Sequence, residues 1–523
     1  MEQADVVVLW GSNARETHPI FFHHVLAALR RGAKLYVIDP RRTASARWAD
    51  GHLPLRVGTD ITLANAVARV IVEEGLVNET FVRRATTGFE ELRAHLASFT
   101  LERAEHETGV PAPLISTLAR DYARAERAQL CWTLGITEHH NAVDNVFSLI
   151  NLALLTGHVG RPGSGLSPLR GQNNVQGGGD MGALPNKLVG FQDVEDDAIR
   201  AKFESAWGCT IPPKKGWHLT QMFEAMERRE LTCLYVLGEN PAQSEADSRR
   251  ATQLLSGLDF IVAQDIFLTK TAQLADVVLP ATAAWCESEG TVTNSERRVQ
   301  RVRRAVPPPS GARDDIEIVC ALSRRLGRDL GDPTPEQIWD EVRSLSPMHA
   351  GMSYRRLEER GGLHWPCWDE NHPGESFLHG RLWEEPVQGP RAGFHAVQPA
   401  PPVDVLDDEY PLRLTTGRRL DSYNTGVQSG SMPSPLRRGE TVDLHPDDAQ
   451  RLGVRAGDEV RVRSRRGSVV APVRLDVGLQ PGLVFMTFHF PDQVDTNALT
   501  IDATDPKSGT AEFKAAAVCI ERV

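Results

Sequence analysis

The chain has 523 residues, 41% apolar and 24% charged, with a formal net charge of −11. At roughly 150 residues per domain this is three or four ordinary globular domains, so a disordered or fibrous chain is excluded. The negative balance disfavours nucleic-acid binding by electrostatics, and the excess of Arg over Lys, 50 to 8, carries no chemistry by itself.

The first predicted strand, Val6-Val7-Val8-Leu9, begins within five residues of Met1. A continuous apolar run is what a parallel strand covered on both faces requires. With no lead-in, it reads equally as strand one of a complete fold and as the start of a truncated or split chain. Gly11-Ser12-Asn13 follows, then a helix from about His18 to Arg31, then the strand Lys34–Ile38 ending at Asp39. Neither a signal peptide nor a twin-arginine leader is recognisable at Met1–Asp5. The expected location is cytoplasmic, although the start of this chain does not fix it.

Between residues 141 and 157 the pattern is a mostly apolar helix, Val143 to Leu155, closed by Gly157. A run dense in glycine and side-chain amides follows, Gly160 to Gly182, with Arg170 as the one cation in its core. It reads as a flexible linker or as a ligand cradle of backbone N–H groups and amides. The Gln-Asn-Asn content favours the cradle. Arg170 in such a cradle suits a carboxylate, which a guanidinium grips with two parallel hydrogen bonds. The alternative is an arginine paired with a nearby acid.

The opening pattern then recurs. Cys233–Leu237 is followed by Gly238-Glu239-Asn240, a helix over about Asp247 to Leu255, and the strand Asp259–Gln264 ending at Asp265. Gly11 to Asp39 is 28 residues and Gly238 to Asp265 is 27. Ala49-Asp50 and Leu53-Pro54 answer to Ala275-Asp276 and Leu279-Pro280. Two such βαβ units predict two related doubly wound domains. A glycine after the strand lets a ligand approach the backbone, and an acid ending the second strand can accept from ribose hydroxyls. Without G-x-G-x-x-G a standard NAD site is disfavoured. Taken singly, Gly11 and Gly238 read as turn residues and Asp39 and Asp265 as helix caps. The repetition favours nucleotide-like sites.

Pro307-Pro308-Pro309 marks a boundary, with a helix predicted over Asp315–Leu326 and an irregular, Pro-, Gly- and Trp-containing connector over 330–400. From Tyr410 the pattern becomes strands: Leu412–Arg418, Glu459–Ser464, Ser468–Val473 and Gly482–His489, with a short helix opening at His445-Pro446. Short strands around one short helix predict a small closed barrel. The seven cysteines are widely scattered, which rules out a disulfide scaffold and a local zinc or iron–sulfur cassette. No apolar run reaches the roughly 18 residues of a membrane span.

The order of these motifs resembles the molybdopterin oxidoreductases that use the bis-guanine-dinucleotide pterin, and within them the large subunit of formate dehydrogenases. The residues that carry the resemblance are Leu169-Arg170-Gly171-Gln172-Asn173-Asn174-Val175-Gln176-Gly177, Asp180-Met181-Gly182-Ala183-Leu184-Pro185, Leu237-Gly238-Glu239-Asn240-Pro241, Gln264-Asp265-Ile266-Phe267, Thr269-Lys270-Thr271-Ala272, Ala275–Pro280 and Glu289-Gly290-Thr291. In the barrel they are Leu452-Gly453-Val454, Gly457-Asp458 and Ser464-Arg465-Arg466-Gly467.

The resemblance implies an α/β chain with two doubly wound αβα pterin domains, over 1–172 and, lacking its first part, 173–315. A helical and irregular connector over 316–400 leads to a C-terminal barrel of double-psi type over 401–523. It implies two pterin guanine dinucleotides holding one molybdenum or tungsten. Asn13, Asp39, Gly135 and Glu138 serve one dinucleotide, Glu138 standing where the family more often has an amide. Gly238, Asn240, Ser244 and Asp265 serve the other. Gln172 and Asn173 contribute from the glycine-rich loop, and Arg418, Asn497, Phe513 and Lys514 close from the barrel. Arg170 holds formate. In such enzymes the [4Fe–4S] cysteines and the Cys or Sec metal ligand precede this region. The chain then reads as a fragment or half of a split subunit, with no metal ligand of its own. Its partners are a cluster-bearing segment or subunit and electron-transfer subunits. The competing readings are another member such as a nitrate reductase, which usually lacks the Arg-Gly-Gln-Asn-Asn run, and a non-catalytic pterin-binding protein.

Overall fold

The computed structural model describes residues 1–284, 286–426 and 439–523. Met1–Leu169, Gln243–Arg249 and Phe377–Val523 make up one compact unit, and Arg170–Ala242 with Arg250–Ser376 a second.

The first unit opens with β1 (Val6–Trp10), α1 (Pro19–Arg30), β2 (Lys34–Ile38) and β3 (Gly51–Leu53), then α2 (Asp60–Glu73), α3 (Ala112–Arg124), β4 (Ala128–Trp132), α4 (Ala142–Thr156) and β5 (Gly165–Pro168). The strands form one parallel sheet in the order β3-β2-β1-β4-β5. All five residues of β1 are buried, as its unbroken apolar run requires. Phe22 and Val25 of α1 cover Val7, Leu9, Leu35 and Val37. Leu63 and Val67 of α2, Leu118 of α3 and Leu152 of α4 cover the opposite face, on Val8, Trp10, Tyr36 and Ile38. Winding reverses between β1 and β4, so their carboxyl ends flank a topological switch point, where open α/β sheets bind ligands.

The second unit contains α5 (Val175–Asp180), α6 (Leu219–Glu227), β6 (Cys233–Leu237), most of α7 (Ser248–Ser256), β7 (Phe260–Asp265), α8 (Lys270–Leu274) and β8 (Val277–Pro280). Its parallel sheet runs β8-β7-β6. Phe223 and Met226 of α6 and Ala251 and Leu255 of α7 cover one face, on Leu234 and Ile261. On the other face Tyr235, Leu237, Phe260 and Val277 are exposed.

A further sheet follows, β9 (Gly290–Thr293), β10 (Arg298–Val302) and β11 (Leu363–His364), antiparallel and interleaved with α9 (Asp315–Arg325), α10 (Pro335–Leu345) and α11 (Tyr354–Arg360). Two helices and a small core thus occupy part of the stretch expected to be irregular. Thr334 and Gln337 form a capping box at the start of α10. Trp339, Met352, Tyr354 and Leu357 close the core over Val299. Of the Pro and Gly that suggested irregularity, Pro335 opens α10 at its first turn, where proline is tolerated, and the rest lie outside the two helices.

Back in the first unit, β12 (Leu412–Gly417), β13 (Val442–Leu444), α12 (Pro446–Leu452), β14 (Glu459–Arg463), β15 (Ser468–Leu475), β16 (Leu483–Thr487) and β17 (Ala516–Arg522) form a closed six-stranded barrel in the order β12-β16-β13-β15-β14-β17. Its interior is filled by Leu414, Val442, Leu444, Val460, Val462, Val484, Met486 and Val518. Among the described residues no helix is long and apolar enough to cross a membrane.

Candidate functional site

At the carboxyl end of β1 the chain turns through Gly11, at φ +58°, and its N–H donates to the Ile38 carbonyl at 2.8 Å. The turn after β4 presses against it. A Cβ on Gly11 would lie 2.7 Å from the Gly135 carbonyl carbon, and one on Gly135 would lie 2.6 Å from Gly11 Cα. Gly135 therefore serves first as a point of backbone contact, and its N–H donates to the Gly11 carbonyl at 3.2 Å. Asn13 starts the next helical turn, and its Oδ1 accepts from the Ser45 N–H at 3.3 Å and hydroxyl at 3.1 Å. Asp39, buried at the end of β2, accepts from the Arg41 N–H at 2.9 Å. Burial pushes the Asp39 carboxyl above its ordinary range against the pull of Arg41.

The second copy repeats these bonds. Gly238, at φ +64°, donates to the Gln264 carbonyl at 2.8 Å. Asn240 Oδ1 accepts from the Thr271 N–H at 3.1 Å and hydroxyl at 2.9 Å. Asp265 accepts from the Phe267 N–H at 3.1 Å. Asp50 and Asp276 each cap the start of the second strand, at 2.8 Å to Leu35 N–H and 2.7 Å to Ile261 N–H. Ser45 and Thr271, the hydroxyl partners of the two asparagines, were given no site role from the sequence, although Thr271 lies in the Thr269-Lys270-Thr271-Ala272 motif. They stand at matching places in the repeat, before Ala46 and Ala272, which would have revealed them.

The glycine-rich loop divides. Gly160–Leu169 stays with the first unit, where Gly165–Pro168 becomes β5 of its sheet, and the part from Arg170 on belongs to the second unit. Asn174, at φ +66°, accepts from the Thr293 N–H at 2.9 Å, and Gly177 leaves no room for a Cβ, which would fall 2.0 Å from Asn174 Oδ1. Arg170, Gln172 and Asn173 lie exposed ahead of this lock. The Arg170 carbonyl accepts from Ser295, and its charge acts on the buried Asp180. Burial pushes the Asp180 carboxyl up, while Gln176 and Trp365 donate to it at 2.9 and 2.8 Å.

The barrel residues belong to the first unit. Lys514 Nζ pairs with Glu138 at 2.8 Å and donates to the Thr416 carbonyl at 3.1 Å. Phe513 N–H donates to the Glu138 carbonyl at 3.2 Å. Arg418 lies over the Phe488 ring and donates to Asn424 at 3.3 Å. Asn497 Nδ2 donates to the carbonyls of Gln243, at 3.2 Å, and Ser244, at 3.3 Å. Arg41 lies 3.6 Å from the Phe485 ring centroid, adding a cation beside β16. Glu138, Phe513 and Lys514 are thus brought together with Asp39, whose carboxyl feels the Lys514 charge.

Several buried polar atoms have no partner among the described residues: Ser12 Oγ at the end of β1, Asn240 Nδ2 at the end of β6 and Asn497 Oδ1 under the barrel. Such atoms cost free energy unless a polar ligand satisfies them. Around Gly238 nothing lies within 4 Å of where a Cβ would stand. Orphaned polar atoms at the ends of β1 and β6, the second of them beside an open glycine turn, fit a polar nucleotide-bearing group at the end of each sheet.

Residues 1–325 match the family model Molybdopterin oxidoreductase, and residues 412–517 match the Molydopterin dinucleotide binding domain. The whole chain is 42% identical to the F420-dependent formate dehydrogenase 2 subunit alpha of Methanococcus maripaludis, covering 77% of it. It is 36% identical to formate dehydrogenase H of Escherichia coli, covering 73%. At 34% identity, 98% of the chain aligns with 74% of the assimilatory nitrate reductase catalytic subunit of Bacillus subtilis. Acetylene hydratase from Pelobacter acetylenicus has the same fold, with a TM-score of 0.76 at 21% identity over 99% of this chain and 78% of that one.

Proposed function

The chain belongs to the molybdopterin oxidoreductases, and from that premise we propose that it is the catalytic portion of a formate dehydrogenase, oxidising formate to CO2 at a bis-pterin molybdenum or tungsten centre. The observation that carries the reading is its 42% identity, end to end, to a formate dehydrogenase alpha subunit. In this reading Asn13, Asp39, Gly135 and Glu138 hold one pterin guanine dinucleotide and Gly238, Asn240, Ser244 and Asp265 the other. Gln172, Asn173, Arg418, Asn497, Phe513 and Lys514 complete the contacts. When bound, the cofactor supplies the acceptor for the two electrons that leave as formate becomes CO2 and a proton. On this reading a [4Fe–4S] cluster receives those electrons and electron-transfer subunits carry them onward.

The work of this chain's own residues is binding and orientation. Arg170 donates two parallel hydrogen bonds to the formate carboxylate, which fixes the direction of its C–H bond. The Asn174–Gly177 lock holds the loop that carries it. Asp39 accepts ribose hydroxyls, and Lys514 places a cation beside Asp39 for phosphate oxygens. The test is Arg170→Ala in the active complex. Formate turnover should fall by about 10²-fold or more while pterin content stays at the wild-type level. Retained formate turnover refutes the role. A nitrate reductase is the second reading, favoured by the 34% identity to that enzyme. Turnover of nitrate but not formate by the same preparation would select it.

A further inference from the structure

Four residues after Gly135 stands a buried histidine whose two ring nitrogens both face acceptors. His139 Nδ1 lies 3.3 Å from the Glu512 carboxylate, and Nε2 lies 3.2 Å from the Gly135 carbonyl oxygen. His139 is 3% exposed and Glu512 1%, so water replaces neither partner. A neutral imidazole carries one N–H and one lone pair, and here that lone pair would point at an oxygen that can only accept. The doubly protonated ring satisfies both contacts.

The groups around the ring support that charge. Glu512 also accepts from the His140 N–H at 3.1 Å, from His140 Nδ1 at 3.3 Å and from the Lys514 N–H at 2.9 Å. Asp60, at the start of α2, adds its attraction to the ring while accepting from Trp10 Nε1 at 2.8 Å. Lys514 opposes from the barrel side, its Nζ paired with Glu138. Burial alone would strip the ring of its second proton, but the Glu512 charge, its hydrogen bond to the ring and the Asp60 charge together outweigh it and raise the affinity for that proton. Burial likewise disfavours the Glu512 carboxylate, yet His139 and the histidine hydrogen bonds hold it well below the usual range.

We propose that His139 is a positioning residue held as an imidazolium: its two N–H groups tie the Gly135 carbonyl to Glu512, and loss of one proton releases the 135–138 turn and weakens dinucleotide retention. The retention half rests on the assignment of this turn to a pterin dinucleotide. The stabilisation is fully present below about pH 6.5, the ordinary histidine value, and is lost as pH rises through the raised folded-state value.

The experiment uses the full chain with 15N-labelled histidine, and GDP as the probe for the nucleotide half of the ligand. His139 should show two protonated nitrogens at pH values where a free histidine peptide is already neutral. GDP binding should weaken about fivefold or more from neutral to alkaline pH. His139→Gln, which keeps one donor and one acceptor, should bind GDP weakly throughout and lose that slope. Glu512→Gln removes the charge but keeps an acceptor, and should return the ring to the neutral form at neutral pH. A ring with one bare nitrogen at neutral pH in the wild type overturns the proposal, as does a His139→Gln protein with the wild-type slope. GDP that binds at no pH, beside an intact imidazolium, overturns the dinucleotide assignment and the retention half with it, leaving the charge on His139 established.

Discussion

The two βαβ copies share one hydrogen-bond template and differ in what covers it. Glycine N–H to the second strand, asparagine to a hydroxyl residue and acid to the N–H two residues on recur with distances within a few tenths of an ångström. Yet Val8 and Trp10 in β1 are buried, while their counterparts Tyr235 and Leu237 in β6 are exposed. The face that α2, α3 and α4 cover in the first copy is covered in the second, among the described residues, only near its carboxyl end, where Asp315 of α9 accepts from the buried Gln264. The template is local, closed by backbone and short polar side chains, so it forms whether or not the sheet is enclosed. Enclosure comes from distant helices and is a separate matter.

The sharpest way to break this comparison is to truncate matching side chains. Trp10 is 0% exposed and donates to the buried Asp60, whereas Leu237 is 51% exposed. Trp10→Ala should cost about 3–5 kcal/mol in chemical denaturation, and Leu237→Ala should stay within about 0.5 kcal/mol. A Leu237→Ala cost equal to that of Trp10→Ala would mean that the second face is covered in solution.

A smaller difference is expected at the glycines. Both have left-handed φ, which costs an alanine about 1–2 kcal/mol. At Gly11 the new Cβ would also meet Gly135 backbone at 2.7 Å, whereas at Gly238 it meets nothing within 4 Å. Overpacking should add about 1–3 kcal/mol to Gly11→Ala, and Gly238→Ala should show the φ penalty alone. Equal losses would remove the case for a close approach of the two turns in the first copy.

The repeat was legible because its signal is local: Gly, Asn, Asp and Ala-Asp at fixed spacing mark turns and strand ends that side chains close on their own backbone. The strands and barrel were legible for the same reason, period-two and continuous apolar runs between turn residues. Cover was not. Cys-Leu-Tyr-Val-Leu is as apolar as Val-Val-Val-Leu-Trp, and nothing in five residues says which helices will lie on them. Nor was the His139–Glu512 contact, which joins positions 373 apart in the chain. The two helices within 330–400 were hidden by the Pro and Gly around them, although Thr334 and Gln337 spell a capping box.

The smallest expected effect lies at the acids, and it asks whether enclosure reaches the template's polar atoms. Asp39 is buried whereas Asp265 is half-exposed. Burial raises the folded-state value at Asp39, opposed by Arg41, so the native chain keeps that proton longer than the unfolded chain does. Stability should therefore decline as pH rises from about 3.9, the ordinary aspartate value, through the raised value, and then level off. Asp39→Asn still accepts from the Arg41 N–H but cannot ionise. The difference between the two proteins' stability curves should carry that decline, with Asp39→Asn gaining relative to the wild type toward neutral pH. A flat difference would show that water reaches Asp39 in solution, and that the first copy is less enclosed at its ligand end than along its strands. A sloped one would leave Asp39 able both to accept from a ribose hydroxyl and, while protonated, to donate to one, a choice set by how deeply the first copy is covered.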